Sequence, residues 1–304
     1  MSFPAVTATE IFDRYEAVRP RLPMAQFPTE SIDIEDLESL IDEIDVFLLD
    51  AFGVLNVGES AIPGAARRLE TFKRLGKQVV VLTNSATYDA TKALEKYRGL
   101  GFDLDKEQVI SSRDAAIAAL DLYPRDYIWG VAATAQSGLA ELPRTTRLLG
   151  DDPSDYEEVD AFLFLSSSEW TVERQGHLQH SIQGNPRPLL VGNPDLVAPR
   201  EGGLSLEPGF FSHEIADQSG IAPHFYGKPF SDVFDRALKS SALAGIDRRR
   251  IAMVGDTLHT DILGGAAAGV RTVLVSGHGL LKGLDIPELI ARSGIVPDFI
   301  AATT

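Results

Sequence analysis

The sequence predicts an α/β fold in which a core built on a parallel sheet is interrupted by a second, inserted α/β domain. Short apolar runs alternate with helix-like segments along most of the 304 residues, and the pattern of the opening segment returns in the last third. A chain of this length is also long for a single hydrophobic core. We therefore expect two domains, with the core formed by segments on both sides of an insertion.

The composition excludes several classes of protein. The formal net charge is −16 and no cysteine is present, so neither a basic nucleic-acid-binding surface nor disulfide or thiolate chemistry is expected. The first residues lack the basic-then-apolar pattern of a signal peptide, and no run approaches the 18 apolar residues of a membrane span. We expect a soluble, cytoplasmic protein that binds neither nucleic acids nor membranes.

Residues 1–44 form an extension before the first strong strand signal. Prolines divide it into short pieces, and residues 34–41 have apolar side chains at helical spacing. We interpret residues 1–44 as a helical extension that packs on the core and has a structural role.

The first βαβ unit follows this extension. Residues 46–49 are an unbroken apolar run, typical of a strand buried on both faces of a parallel sheet, and Asp50 stands at its carboxyl end. A helix is predicted between Pro63 and Gly76, and a second strand begins at residue 78 and ends in Thr83. Because ligands bind outside the carboxyl ends of such strands, both polar ends are candidate site residues.

The middle of the chain carries enough apolar residues for a core of its own. Apolar runs at 127–132, 161–165 and 188–191 predict strands, and helices are expected at about 112–121 and 171–183. The predicted core therefore consists of residues 45–87 and 222–304, and residues 88–221 form the inserted domain, called the insert below.

The last third adds the remaining polar groups. Residues 250–254 predict another buried strand, which ends in Gly255 and Asp256. Asp261 then lies in the first turn of the next helix, where a cap is its simplest interpretation when it is considered alone. Lys228 stands just before a further predicted helix.

Polar residues therefore end three predicted strands and precede one helix, and they should meet at one edge of the sheet. They are Asp50, Thr83 with Asn84, Asp256, and Lys228. Carboxylates suit Mg²⁺, which keeps few protein ligands, while an ammonium and a hydroxyl suit phosphate oxygens. The sequence predicts a site for magnesium and a phosphoryl group.

Five motifs follow one another along the chain: Asp50-Ala-Phe-Gly-Val-Leu, Leu82-Thr-Asn, Asn193-Pro-Asp195, Gly227-Lys-Pro229 and Gly255-Asp-Thr-Leu-His-Thr-Asp261. In this order they resemble the haloacid-dehalogenase-like hydrolases of class IIA, a group that includes sugar-phosphate, nucleotide, phosphoglycolate and pyridoxal-phosphate phosphatases. The resemblance covers about residues 45–304. It implies a Rossmann-like core with an inserted α/β cap, which in the family often mediates homodimers.

The resemblance also implies roles for the residues of the predicted site. Asp50 would be the nucleophile that forms an aspartyl-phosphate, and Thr83, Asn84 and Lys228 would hold the phosphoryl group. The implied metal ligands are Asp50, Asp256 and the main-chain carbonyl of Phe52. Asp261 would either contact these ligands without touching the metal or bind the metal through a water molecule.

Residues of the insert complete the predicted substrate pocket. Ser166 and Glu169 follow a central strand of the insert, and by the resemblance this place faces the substrate, although a helix N-cap is the simpler interpretation. Asn193 is a further pocket residue whose simpler role is to fix the loop that returns to the core.

Phe52 is the main departure from the family, whose phosphatases carry a proton-donating aspartate two residues after the nucleophile. A positioned acid contributes roughly 10²–10⁴-fold to a rate. Its loss would slow a magnesium-dependent phosphatase of small phosphorylated metabolites, such as a sugar phosphate, or favour substrates with good leaving groups. The alternative is a protein that binds a phosphorylated metabolite without turning it over.

Overall fold

The structure is a computed structural model that describes residues 3–304. Its α-helices are α1 Ala8–Val18, α2 Ala65–Arg74, α3 Ala90–Gly99, α4 Ser112–Ala119, α5 Ser154–Glu157, α6 Val172–Gly184, α7 Pro208–Ser219, α8 Ser231–Leu238, α9 Leu263–Ala268 and α10 Ile286–Ser293. None of the helices described in these residues is long and apolar enough to cross a membrane.

The strands are β1 Ile32–Ile34, β2 Val46–Leu49, β3 Asn56–Val57, β4 Ser60–Ala61, β5 Gln78–Thr83, β6 Val109–Ser111, β7 Ile128–Ala132, β8 Thr145–Leu148, β9 Ala161–Phe164, β10 Leu189–Val191, β11 Val197–Arg200, β12 Gly203–Leu206, β13 His224–Phe225, β14 Ile251–Gly255, β15 Arg271–Val275 and β16 Phe299–Ala301. The strands predicted at 46–49, 78–83, 127–132, 161–165, 188–191 and 250–254 are all present within one or two residues of their expected bounds.

A seven-stranded parallel sheet forms the larger core, in the order β1-β16-β15-β14-β2-β5-β6. Strand β2 is one of its central strands, between β14 and β5, and all four of its residues are buried. Phe47 stacks on Phe72 of α2 on one face, with ring centroids 4.2 Å apart, while Leu48 packs with Phe234 of α8 on the other. The predicted parallel α/β core is therefore confirmed, and helices cover both faces of its central strand.

A five-stranded parallel sheet, in the order β13-β10-β9-β7-β8, forms the second core. Its side chains Trp129, Phe162 and Phe164 are completely buried. Strand β6, which falls inside the predicted insert, pairs instead with β5 of the larger sheet. This pairing favours a later beginning of the insert, after Ser111, and the division into two domains stays a prediction.

Two short hairpins meet across the gap between the sheets. Strands β3 and β4 form the first, close to Asp50, and β11 and β12 form the second. The main-chain N–H of Gly58 donates to the carbonyl of Pro199 at 3.2 Å, and the N–H of Glu59 donates to the carboxylate of Glu201 at 2.7 Å. The β11–β12 hairpin therefore lies over the loop that follows the central strand.

The extension before residue 45 differs from its prediction. The small helix predicted at 34–41 is present only as a 3₁₀ helix at Leu37–Leu40, and Ile34 belongs instead to β1, which pairs with β16. An edge strand suits this segment because Ile32 is left 58% exposed, while Leu37 and Leu40 are buried in the core and Ile34 and Ile41 pack against it.

Helix α1 connects the two parts of the protein. Its N-terminus is fixed by a capping box between Thr7 and Glu10. Its buried face joins a cluster that contains Leu196 from the loop before β11 and Leu258 from the turn after β14. Glu16 lies 2.5 Å from the ring of His259, which is buried. The extension is therefore packed against both the core and the returning chain of the insert.

We expect Phe12→Ala to lower the free energy of unfolding by about 3–5 kcal/mol, the usual cost of emptying a buried aromatic site. Phe12 is 1% exposed, and its ring contacts that of His259 edge-on at 5.2 Å between centroids. Urea or thermal unfolding measures the change, and Met24→Ala, at a side chain that is 93% exposed, is the control. A loss below about 1 kcal/mol would contradict a structural role for α1.

Candidate active site

Three carboxylates meet at the carboxyl ends of the central strands. Asp50 follows β2, Asp256 follows β14, and Asp261 lies in a π-helical turn at Leu258–Ile262. All three are buried, and one oxygen of each lies within 4.8 Å of the others. Parallel pairing of β2 with β14 explains the meeting, since Leu49 is in register with Val254. The predicted cluster at this sheet edge is therefore present.

Asp256 is held in one orientation by its surroundings. Its carboxylate accepts hydrogen bonds from the hydroxyl of Thr257 at 2.9 Å and from the N–H of Leu280 at 2.6 Å. A Cβ atom at Gly53 would lie 2.5 Å from its Cγ atom, and one at Gly279 would lie 1.8 Å from its Oδ2 atom. Both glycines also have a positive φ, so a side chain is excluded at each position for two reasons.

Lys228 supplies the cation of the cluster. Its Nζ atom lies 2.6 Å from Oδ1 of Asp50 and 2.7 Å from Oδ1 of Asp261, and the side chain is 1% exposed. Burial alone would lower the pKa of Lys228, but the carboxylates of Asp261, Asp50 and Asp195 outweigh burial and raise it. Lys228 is therefore an ammonium ion at neutral pH.

The same burial disfavours the charged carboxylates. It raises the pKa of Asp50 to about 7, against the opposing effect of Lys228 and with a further rise from Asp261. Burial, with the charges of Asp261 and Asp50, raises the pKa of Asp256 to about 8. Fully ionised, three carboxylates and one ammonium carry −3 + 1 = −2 charges. The oxygen donors and this charge fit a hard divalent cation such as Mg²⁺.

The two residues that end β5 have different surroundings. Thr83 is buried, and its hydroxyl accepts a hydrogen bond from the N–H of Ser85 at 3.1 Å, which leaves its proton for another acceptor. The side-chain amide of Asn84 donates to the carbonyl of Lys228 at 2.9 Å and accepts from its N–H at 2.7 Å. It also donates to Asp195 at 2.8 Å. This side chain therefore positions Lys228 and Asp195, and the predicted phosphate contact through its amide is not supported.

A small cavity lies beside these groups. Its volume of about 20 Å³ is room for little more than one water molecule. Its lining includes Asp50, Phe52, Thr83, Asn84, Ser85, Thr87, Asn193, Asp195, Ala198, Arg200 and Glu207. The sequence motifs contain six residues of this lining, but none of them contains Ser85, Thr87, Ala198, Arg200 or Glu207. Arg200 and Glu207 approach only because the β11–β12 hairpin lies over the site.

The ring of Phe52 is enclosed by two cations. The ammonium of Lys96 on α3 lies 5.1 Å from the ring centroid, and the guanidinium of Arg200 lies 4.8 Å from it. Both distances are those of cation–π contacts. Phe52 therefore connects the core to the hairpin and carries no group that can exchange a proton.

The predicted pocket residues of the insert lie at different positions relative to the cavity. Asn193 lines the cavity and donates to Glu207 at 3.1 Å. Ser166 is buried, and its hydroxyl accepts from that of Thr87 at 2.9 Å, so it supports a residue of the lining. Glu169 is exposed and is absent from the lining of this cavity, so a place for it in the pocket is not supported. The loop directs its side chain outward because the neighbouring Trp170 takes the buried position.

Comparisons with known proteins agree with this fold. The family of haloacid dehalogenase-like hydrolases matches residues 47–141, and the related HAD-hydrolase-like family matches residues 225–302. The chain is 28% identical to an acid sugar phosphatase of Staphylococcus aureus, over 83% of this chain and 92% of that protein. It is 29% identical to a glycerol-3-phosphate phosphatase of Homo sapiens, over 87% and 90% of the two chains.

A solved structure extends the agreement to the whole fold. The crystal structure of a possible sugar phosphatase of the HAD superfamily from Cytophaga hutchinsonii superposes with a TM-score of 0.79 and 28% identity, over 90% of this chain and 98% of that one. The family matches include Asp50 and Thr83 in the first segment and Lys228, Asp256 and Asp261 in the second. The chain belongs to the haloacid dehalogenase-like hydrolases.

Proposed function

We propose that this protein is a phosphatase that removes the phosphoryl group from a small phosphorylated metabolite, such as a sugar or polyol phosphate, with Mg²⁺ as its cofactor. One observation carries the proposal: three buried carboxylates and the buried ammonium of Lys228 meet beside a cavity at the carboxyl edge of the sheet. The phosphatase names of its relatives support this reaction class.

The chain's own residues account for the first chemical step. The carboxylate of Asp50 attacks phosphorus, so that an oxygen–phosphorus bond forms while the bond to the leaving oxygen breaks. Lys228 stands 2.6 Å from this carboxylate and offsets negative charge on the phosphoryl oxygens, and Thr83 can donate its hydroxyl proton to one of them. Magnesium, when bound, neutralises and orients phosphoryl oxygens. Water then cleaves the aspartyl-phosphate and restores Asp50.

A binding protein without turnover is the second candidate, and the surroundings of Phe52 favour it. The position two residues after Asp50 holds an aromatic ring between two cations and not a carboxyl group. Such a protein would bind phosphate esters but would never carry a covalent phosphoryl group. Trapping Asp50 with beryllium fluoride and magnesium in a crystal distinguishes the candidates, because an adduct on Asp50 contradicts the pure binder.

We expect the wild-type protein to hydrolyse members of a phosphomonoester panel in the presence of magnesium, and Asp50→Asn to lower turnover by at least about 10³-fold. An amide cannot form the acyl-phosphate bond, which is the reason for so large a loss. Inorganic phosphate release with sugar phosphates, glycerol phosphate and 4-nitrophenyl phosphate measures it.

Asp42→Asn is the matched control, because it makes the same change at an exposed carboxylate. Equal turnover by wild type and Asp50→Asn would contradict Asp50 as the nucleophile. No metal-dependent turnover on any member of the panel would contradict the proposed phosphatase.

Magnesium should stabilise the fold, and more strongly at pH 8.5 than at pH 5. The pKa values of about 7 for Asp50 and about 8 for Asp256 exceed the roughly 3.9 of an unfolded aspartate. Their contribution to stability is therefore complete below about pH 4 and is lost as the pH rises through 7 and 8. A bound cation removes this loss because it compensates the ionised carboxylates.

Thermal unfolding with magnesium or with chelator, at matched ionic strength, measures the effect. Asp256→Asn should abolish the magnesium-dependent rise in melting temperature, while Asp42→Asn should keep it. A rise of the same size in wild type and Asp256→Asn would place the ion elsewhere.

A further inference from the structure

Cleavage of an alkyl phosphate needs a proton donor, because an alkoxide is a poor leaving group unless its oxygen is protonated as the bond breaks. Phe52, next to the proposed nucleophile in the cavity, cannot donate one. The carboxyl groups that line this cavity, within the described residues, belong to Asp50, Asp195 and Glu207. Asp50 is the proposed nucleophile, so the donor must be sought in the other two.

Glu207 is committed to other partners. Its Oε1 atom accepts from the hydroxyl of Ser205 at 2.8 Å and lies 3.3 Å from the guanidinium of Arg200. Its Oε2 atom accepts from the amide of Asn193 at 3.1 Å. Burial raises the pKa of Glu207 too, but both of its oxygens are acceptors for neighbouring side chains and one lies beside a cation, so its partners hold the carboxylate in place.

Asp195 has a different environment. Its Oδ1 atom accepts from the amide of Asn84 at 2.8 Å, and no group of residues 3–304 donates to its Oδ2 atom or lies within ion-pair distance of either oxygen. Its main chain is fixed at both sides, because its N–H donates to Asn193 at 3.0 Å and its carbonyl accepts from the N–H of Gly209 at 3.1 Å. The side chain stays partly accessible and faces the cavity.

We propose that Asp195 is the general acid of this enzyme and supplies from the insert the proton that the position of Phe52 cannot. The inference rests on the proposed phosphatase function. As the bond from phosphorus to the leaving oxygen breaks, that oxygen takes the proton of Asp195 and departs as an alcohol, leaving Asp195 as a carboxylate. In the second step this carboxylate takes a proton from the water that attacks phosphorus, and Asp50 leaves with the electrons of its bond to phosphorus.

The electrostatic surroundings are consistent with this role. Burial raises the pKa of Asp195 well above its ordinary value, Lys228 opposes that rise, and Asp50 and Asp261 add to it. Tyr15 of α1 also faces this region, and its hydroxyl accepts from the N–H of Leu196. A raised pKa favours the protonated form of Asp195, and together with the absence of an ion pair this suits acid catalysis.

The test compares leaving groups in Asp195→Asn and wild type, both loaded with magnesium. Asparagine keeps an oxygen that can accept from Asn84, so the contact between the loops survives. We expect kcat/KM to fall by about 10²–10⁴-fold for glycerol phosphate and by less than about tenfold for 4-nitrophenyl phosphate, whose leaving group needs little protonation. The fall in activity of wild type at high pH, measured with the alkyl substrate, should also disappear.

Glu207→Gln is the matched control, since it neutralises the other buried carboxyl group of the cavity and should change both substrates by a similar factor. Asp195→Ser is a second variant with a smaller polar group, should the asparagine variant not fold. Equal losses on alkyl and aryl phosphates in the Asp195 variants would overturn the proposal and leave Asp195 a positioning residue. A wild-type protein without metal-dependent turnover, or with turnover unchanged in Asp50→Asn, would instead refute the proposed function itself.

Discussion

The buried ammonium of Lys228, between the carboxylates of Asp50 and Asp261, is the interaction on which the site depends. Removing one partner of a buried ion pair typically costs about 3–5 kcal/mol, because the other charge stays behind without compensation. Three separate segments of the sequence supply these groups. The side chain of Asn84 holds the main chain of Lys228, because it bonds to both the N–H and the carbonyl of that residue. The cluster therefore forms only when the chain has returned from the insert to complete the larger sheet.

The loop between β10 and β11 joins the two parts of the molecule. Asn84 of the core bonds to Asp195, and α1 packs on Leu196 with its own buried face. The contacts between the two hairpins, in contrast, are polar and exposed to solvent, since both Glu59 and Glu201 are exposed. Exposed polar contacts contribute little to stability, so separation of the hairpins costs far less than disruption of the buried cluster. A cavity of about 20 Å³ requires such a separation before a phosphorylated metabolite can enter.

The sequence predicts the features that depend on local pattern. The buried run of β2, the parallel βαβ unit and the polar residue that ends each central strand follow from periodicity and from the geometry of parallel sheets. Short segments with few apolar residues are harder: residues 34–41 fit a helical spacing, but only a four-residue 3₁₀ helix forms there, and Ile34 ends an edge strand that pairs with β16. Similarly, the insert predicted at 88–221 includes residues 109–111, because three residues carry too little pattern to show that β6 pairs with β5.

Contacts across the gap between the sheets are beyond sequence reasoning for a different reason. Arg200 and Glu207 have no motif, and their approach to Asp50 depends on the path of a hairpin that is more than a hundred residues away in the chain. Glu169 was expected in the pocket by analogy, but its loop turns Trp170 inward and leaves the carboxylate exposed. Asp195 was identified as part of a motif, yet only its contact with Asn84 and the free Oδ2 atom suggest a chemical role.

Phe52 contacts the β11–β12 hairpin and also stands at the position where related phosphatases carry their proton donor. Its ring contacts Lys96 of the core and Arg200 of the hairpin, so the cation–π contact with Arg200 exists only while the hairpin lies over the site. In a protein with an acid at this position the proton donor would belong to the core and stay beside Asp50 when the site opens. If Asp195 is the proton donor, the donor belongs to the segment that carries the β11–β12 hairpin. Nucleophile and acid would then be aligned in the closed state, when the cavity has little room for bulk water to compete.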